Sequence, residues 1–272
     1  MTAIKAIILC IIAIYSTSAL SEVIIIGGSG TDLATFKLLA KGFKKENPDT
    51  KFKILPSIGS GGGIKAAKAE KIDICLTSRA PKDKELSQDI IFKRYAQTPF
   101  VFSVHEDLNV DNVTTQNILD IYSGAMTQWD TDTQIKPILR PSNDSDTTLL
   151  IEVIPGFDEA INIAYKRRGL PMATTDQDAI ELIQNVDGSI GGSSLSIVKT
   201  SGKSVKAINF NSTEPTPENI KNGSYTLYKD LYLCYNHIKI TPSLNRFIDF
   251  ILSDDGKNIL NITGHVSFKF KK

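Results

Sequence analysis

The stretch VIIIGGSGTDLATFKLLAKGF, residues 23–43, decides the fold class. Its first four residues are a continuous β-branched run, which reads as a buried strand. Gly27-Gly28-Ser29-Gly30-Thr31 follows as a tight turn. Leu33, Phe36, Leu39, Ala40 and Phe43 then fall on one helical face, with Lys41 and Lys45 opposite. The same order continues outward. Residues 51–54 alternate as a strand, residues 57–63 form a second glycine-rich turn, residues 64–70 a short helix and residues 72–76 a third strand. This β-turn-α-β-turn-α-β order predicts a parallel sheet covered by helices, an α/β fold.

Further along, residues 100–104 read as a strand, and Thr114 or Thr115 caps a helix that runs through Tyr122. A strand at 135–139 ends at Arg140. A polar turn over 141–146 then leads into a helix bearing Leu149, Leu150 and Val153. Helix 177–184, strands near 194–198 and 205–210, a turn-rich connection over 212–224, strand 231–235 and two closing helices complete the pattern. There is no internal repeat.

The N-terminus has a different character. Lys5 precedes a short apolar run, AIILCIIAIY (6–15), and the small residues Ser16, Thr17, Ser18 and Ala19 follow. This is the order of a secretory signal peptide, so residues 1–21 are excluded from the fold, with Ala19 or Ser21 as the last residue removed. The run is too short to span a bilayer, which takes roughly 20 apolar residues. Export permits a disulfide between Cys75 and Cys234. Both lie in apolar, strand-like stretches, where buried free thiols are the alternative.

The 272 residues, 41% hydrophobic and 22% charged, allow one large domain or two modest lobes. The formal net charge of +1 argues against a nucleic-acid partner, which usually calls for a strong basic excess.

Three turns share one design. GGSGTD (27–32), SIGSGGGIK (57–65) and RPSNDSDTT (140–148) each follow a strand, carry glycine or hydroxyl residues and open a helix. Unpaired N–H groups at a helix start, aligned with the positive end of its dipole, hold an oxyanion. Taken singly, each has a structural explanation: Thr31, Asp32 or Ser145 as a helix cap, and Arg140 as a surface ion pair. Enzyme motifs fail. GSGGGIK lacks the GK[ST] ending of a P-loop, GGSGTDLA lacks the third glycine of a dinucleotide fingerprint, and there is no G-x-S-x-G elbow. His105, His237 and His265 lack ligand-spaced partners, so no metal or cofactor is expected.

On these residues the chain resembles the periplasmic phosphate-binding proteins of phosphate ABC transporters. The motifs are GSGT (28–31), GSGGGIK (59–65), NILDIYSGAMTQWD (117–130), VDGSIGGSSLSIV (186–198), EPTPENIKNGSYTLYKDLYLCY (214–235) and FIDFILSDDGKNIL (247–260). The resemblance implies the type II periplasmic binding protein fold. Each of two lobes would hold a mainly parallel sheet flanked by helices, and two hinge strands would cross between them. Lobe I would comprise residues 22–100 and 230–272, and lobe II residues 101–229. One continuous sheet containing both the first and the middle regions would overturn this division.

The resemblance also implies a binding site and no catalytic residues. Ser29, Gly30, Thr31 and Asp32 come from the first loop, Ser60 and Gly61 from the second, and Ser78 and Arg79 from after the third strand. Arg140, Ser145, Asp146 and Thr147 come from lobe II. Arg140 offers a fork for two oxygens. Ser78 stands where some members carry a carboxylate, and Ser145-Asp146-Thr147 sits one residue further from the arginine than is common. Asp146 either replaces the missing acceptor for a protonated oxyanion or points to solvent at its helix start. The implied partners are inorganic phosphate and the membrane subunits of an ABC permease, for a monomeric periplasmic protein. Alternatives are a binder of sulfate, molybdate or tungstate, an exported phosphatase-like enzyme, or an adhesive surface protein.

Overall fold

A computed structural model describes residues 22–130 and 133–268, and the leader expected at 1–21 lies outside them. The first region runs β1 (Val23–Gly28), α1 (Leu33–Phe43), β2 (Lys51–Ile54), α2 (Gly59–Lys68) and β3 (Ile74–Thr77). A long strand, β4 (Ile90–His105), leads into β5 (Asn112–Val113), α3 (Thr115–Ser123), β6 (Lys136–Pro137), α4 (Ser145–Val153), α5 (Phe157–Ala164) and α6 (Asp176–Asn185). Next come β7 (Ser189–Ser194), α7 (Leu195–Thr200), β8 (Val205–Phe210) and α8 (Pro217–Lys221). The chain then returns through β9 (Tyr228–Asn236), α9 (Pro242–Leu252), α10 (Asp254–Ile262) and β10 (Val266–Ser267). No helix among the described residues is long and apolar enough to cross a membrane.

Local chemistry accounts for many of the boundaries. Thr114 caps α3 by accepting from Asn117 N at 3.1 Å, while Asn117 Oδ1 accepts from Thr114 N at 2.9 Å. Gly124, with φ of 90°, ends the same helix in the left-handed conformation. Two expectations differ. The glycines at 59–63 are not a turn before a helix but the first turns of α2 itself. A Cβ at Gly63 would meet Gly28 Cα at 2.7 Å and Cys75 Sγ at 2.9 Å, so glycine lets the helix lie close on the sheet at the expense of helix propensity. The strand read near 194–198 is helix α7, and the strand precedes it as β7. Ile197 and Val198 have strand propensity, but Ile197 packs on Ile180 and Ile183 of α6, and tertiary contact overrides propensity.

The sheet is mixed rather than mainly parallel. β2-β1-β3 are parallel, as are β6-β7 and β5-β8, but β9 enters antiparallel between β3 and β4. β7 and β8 also run antiparallel to β4. The cause is the return path. Strands that carry the chain from one lobe to the other and back run in opposite directions and lie side by side. For the same reason the ten strands among the described residues form one hydrogen-bonded network, β2-β1-β3-β9-β4-β7-β6 with β5, β8 and β10 attached, which is the single sheet set against a division by separate sheets. The partners of β4 change midway. Residues 90–99 pair with β9, and residues 100–105 with β7 and β8.

The cores remain distinct. Phe36, Phe43, Tyr95 and Phe247 centre one, and Phe100, Phe102, Tyr122, Trp129 and Phe157 the other. Phe43 meets Phe247 edge-on at 5.3 Å and Tyr122 meets Phe157 at 4.9 Å. Such pairs contribute about 0.5–1.5 kcal/mol each beyond area burial. Cys75 and Cys234 face each other across β3 and β9 as buried free thiols, and burial raises the Cys75 pKa.

Candidate functional site

The first turn is shaped by Gly28. Its φ is +124°, and a Cβ there would lie 2.2 Å from Leu76 O, so only glycine brings β1 into its turn. Ser29 N donates to Leu76 O at 2.8 Å, which fixes Ser29 at the carboxyl end of the sheet. Ser60 sits in the first turn of α2, where its hydroxyl accepts from Ser78 N at 3.2 Å. Ser78 is the hub. Its Oγ lies 3.2 Å from Ser29 Oγ, 3.3 Å from Ser60 Oγ and 3.1 Å from Ser145 Oγ. Ser145 begins α4, so the last contact joins the two lobes.

Beside this cluster is a cavity of about 430 Å³ lined by Ser29, Ser60, Gly61, Arg79, Arg140, Asp144, Ser145 and Asp176, among others. A larger cavity of about 600 Å³ lies elsewhere between the lobes, but its lining is largely apolar, with Leu33, Leu55, Pro56, Ile180 and Ile197, and holds no buried cation.

The two arginines differ. Arg140 is 7% exposed. Its Nε and Nη2 donate to Asp144 at 3.1 and 2.9 Å, while its buried Nη1 has no hydrogen-bond partner among the described residues. Burial works against its charge, but Asp146, Asp176 and Asp144 outweigh burial and raise its pKa, so it is a fixed cation. Arg79 is occupied instead. Both terminal nitrogens donate to Glu85 at 2.7 Å, and that pairing holds the Glu85 carboxyl down at about 2.

Other expected residues are placed differently. Asp146 is 1% exposed and neither points to solvent nor lines the cavity. Its Oδ1 lies 2.5 Å from Lys229 Nζ. Lys229 and Arg140 outweigh burial and lower its pKa. Asp32 is buried behind the first loop. It accepts from Tyr95 OH, and its Oδ1 lies 3.0 Å from His265 Nε2 and 3.3 Å from Ser196 Oγ. Thr31 packs beside it, its carbonyl accepting from Ser196 Oγ at 3.2 Å. Thr147 is buried on α4 beside the Tyr165 hydroxyl. Gly30 is where the lobes touch: its carbonyl accepts from Gln177 Nε2 at 3.0 Å, and a Cβ would come within 2.7 Å of Asp176 Oδ2.

Asp144, Asp176, Glu85 and Lys229 were not singled out from the sequence. Asp144 caps α4, with its Oδ1 accepting from Asp146 N at 2.9 Å. Asp176 opens α6. One signal was legible. In β9, Lys229 shares a face with the buried Leu231 and Leu233, which puts a charge on the inward side of a strand.

Comparison with known proteins agrees with this architecture. A family profile for the PBP superfamily domain matches residues 15–255. The phosphate-binding protein PstS of Borreliella burgdorferi is 26% identical over 258 residues, covering 91% of both chains. A Clostridium perfringens substrate-binding protein, ascribed to phosphate ABC transport and crystallised with bound phosphate, superposes with a TM-score of 0.79. It is 27% identical, covering 91% of this chain and 100% of the other. An ABC-type phosphate transport receptor from Vibrio cholerae shares the fold, with a TM-score of 0.62 at 22% identity over 90% of this chain and 100% of its own. The profile spans most of the sequence, and the chain belongs to the PBP superfamily.

Proposed function

We propose that this chain is an extracytoplasmic solute-binding protein that captures inorganic phosphate between its two lobes and delivers it to an ABC importer. The observation that carries this reading is Arg140 Nη1, buried and unpartnered, at a cavity walled by serine hydroxyls and helix starts. A buried donor without a partner is costly, and an oxyanion satisfies it. Ser29, Ser60 and Ser145 line the cavity and supply hydroxyl donors, with Ser78 bonded to all three from outside the lining, and the first turns of α2 and α4 supply backbone N–H groups and dipole ends.

Asp144 and Asp176 line the same cavity, so the acceptor role expected of Asp146 passes to them. Burial first, and then Asp146, raises the Asp144 pKa, although Arg140 opposes this. A carboxylate accepts from a protonated phosphate oxygen and only repels fully ionised sulfate. The phosphate relatives favour this ligand over other oxyanions.

In this reading residues 22–100 and 230–272 act as one lobe and 101–229 as the other. The monomer works outside the cytoplasm after loss of residues 1–21, its receiving partner is a permease in the membrane, and no catalytic step takes place. Calorimetric titration with phosphate and with sulfate at matched ionic strength tests it. Tight phosphate binding with weak sulfate competition is expected. Equal affinities, or no phosphate binding, would overturn it.

A further inference from the structure

At the crossing between the lobes, Phe100 N donates to Leu227 O at 3.0 Å, and Thr98 of β4 pairs with Lys229 of β9. Lys229 therefore stands on the strand that carries the chain back across the hinge. It is 3% exposed. A buried ammonium is strongly disfavoured unless it is paired.

Its partners lie on two different helices. Nζ is 2.5 Å from Asp146 Oδ1 and 3.6 Å from Asp176 Oδ1, with the Phe100 ring centroid at 5.4 Å. Asp146 follows Ser145, the residue that meets the Ser78 hub from the opposite lobe. Asp176 lines the cavity and abuts Gly30 of the first loop. Burial opposes the charge on Lys229, but Asp146 and Asp176 outweigh burial and keep the amine protonated. Lys229 itself is not among the residues that line the cavity.

Charge counting shows what this arrangement does. The shell of charges around Arg140 and Lys229 holds three carboxylates, Asp146 and Asp176 buried and Asp144 partly buried, against these two buried cations, for a formal charge of −1. Without Lys229 the same shell carries −2 and faces an entering anion. Two helix starts would also lose their common anchor on the hinge strand.

We infer that Lys229 is a positioning residue for anion capture. It neutralises Asp146 and Asp176 from outside the cavity and holds the starts of α4 and α6 against the hinge strand. This rests on the reading of the cavity as a phosphate site. A contact to the ligand is not required; the effect is transmitted through the two carboxylates.

The test is calorimetric titration of inorganic phosphate into wild type, Lys229→Arg, Lys229→Met and the double variant Lys229→Met/Asp146→Asn, with circular dichroism as a folding control. Lys229→Met weakens phosphate binding by at least about tenfold, since an unpaired buried carboxylate is left beside the site. The double variant restores the shell to −1 and binds within roughly threefold of wild type, as expected of a charge-coupled pair. Lys229→Arg keeps the charge and stays nearer to wild type than Lys229→Met. A merely structural lysine would not be rescued by removing a carboxylate. The inference is overturned if folded Lys229→Met binds phosphate like wild type, or if the double variant is unfolded or as weak as Lys229→Met. Wild type that binds no phosphate overturns the function itself, and this inference with it. Wild type that binds while Lys229→Met is unaffected overturns this inference alone.

Discussion

On its lobe I side the cavity meets serine hydroxyls, glycine-rich backbone and the exposed lysines Lys65, Lys82 and Lys84, and the arginine there is already paired with Glu85. On its lobe II side it meets a buried arginine with a free nitrogen, backed by three carboxylates and a lysine. One wall is made largely of local sequence, and its charges, Lys65, Lys82, Lys84 and the Arg79–Glu85 pair, are exposed or partly exposed. The other holds buried charges and is assembled from segments far apart in the chain. Hydroxyls and amides select geometry at modest cost, whereas buried charges are strong only when their partners are complete. The charged wall is therefore where binding is most easily lost.

The largest expected effect follows directly. Arg140→Ala removes the only buried cation lining the cavity among the described residues and strands Asp144, so phosphate affinity falls about ten- to hundredfold, the equivalent of one or two charge-assisted hydrogen bonds. Titration beside wild type checks this, with circular dichroism to confirm folding. If Arg79→Ala proves the more damaging, the charged wall has been misplaced and the site centres on the end of β3.

Ser78→Ala probes the hydroxyl wall. It removes a hydroxyl that touches three others but leaves every charge in place. A neutral hydrogen bond contributes about 0.5–1.5 kcal/mol, so affinity should fall roughly two- to tenfold. A loss as large as that of Arg140→Ala would erase the contrast between the walls.

The smallest effect on binding belongs to Arg79→Ala, below about threefold, because a partly exposed ion pair contributes little. Its signature is in stability against pH. The Glu85 carboxyl is depressed from 4.5 to about 2. A depressed carboxylate stabilises the fold above its unfolded value and loses that contribution as pH falls through its folded value. The melting-temperature difference between wild type and Arg79→Ala should thus be constant at neutral pH and shrink as pH falls from 4.5 toward 2. A difference that grows on acidification would contradict the pairing.

The hydroxyl wall was largely legible in the sequence. Gly28, Ser29 and Ser60 lie in short motifs whose chemistry is local, and the β-turn-α order places them at strand ends. Even there the start of α2 was misread, because glycines at 59–63 look like a turn until Gly63 is seen packed on Gly28 and Cys75. The charged wall was only half legible. Arg140 and Ser145 share a turn, but Asp176 and Lys229 reach it from other segments, and no periodicity reports such a meeting. Asp146 shows the same limit: its position at a helix start suits either the cavity or solvent, and only the distant Lys229 decides that it faces neither. The mixed sheet was missed for a related reason. Strand direction at the crossing depends on the return of β9, not on the composition of either strand.

The central claim is that one oxyanion bridges these two walls. A crystal structure of the protein grown with phosphate tests it most directly. The account predicts one tetrahedral anion in the polar cavity, with Arg140 Nη1 and the hydroxyls of Ser60 and Ser145 within hydrogen-bond distance. A fully occupied anion in the larger apolar cavity instead, or a polar cavity left without phosphate at saturating concentration, would contradict it.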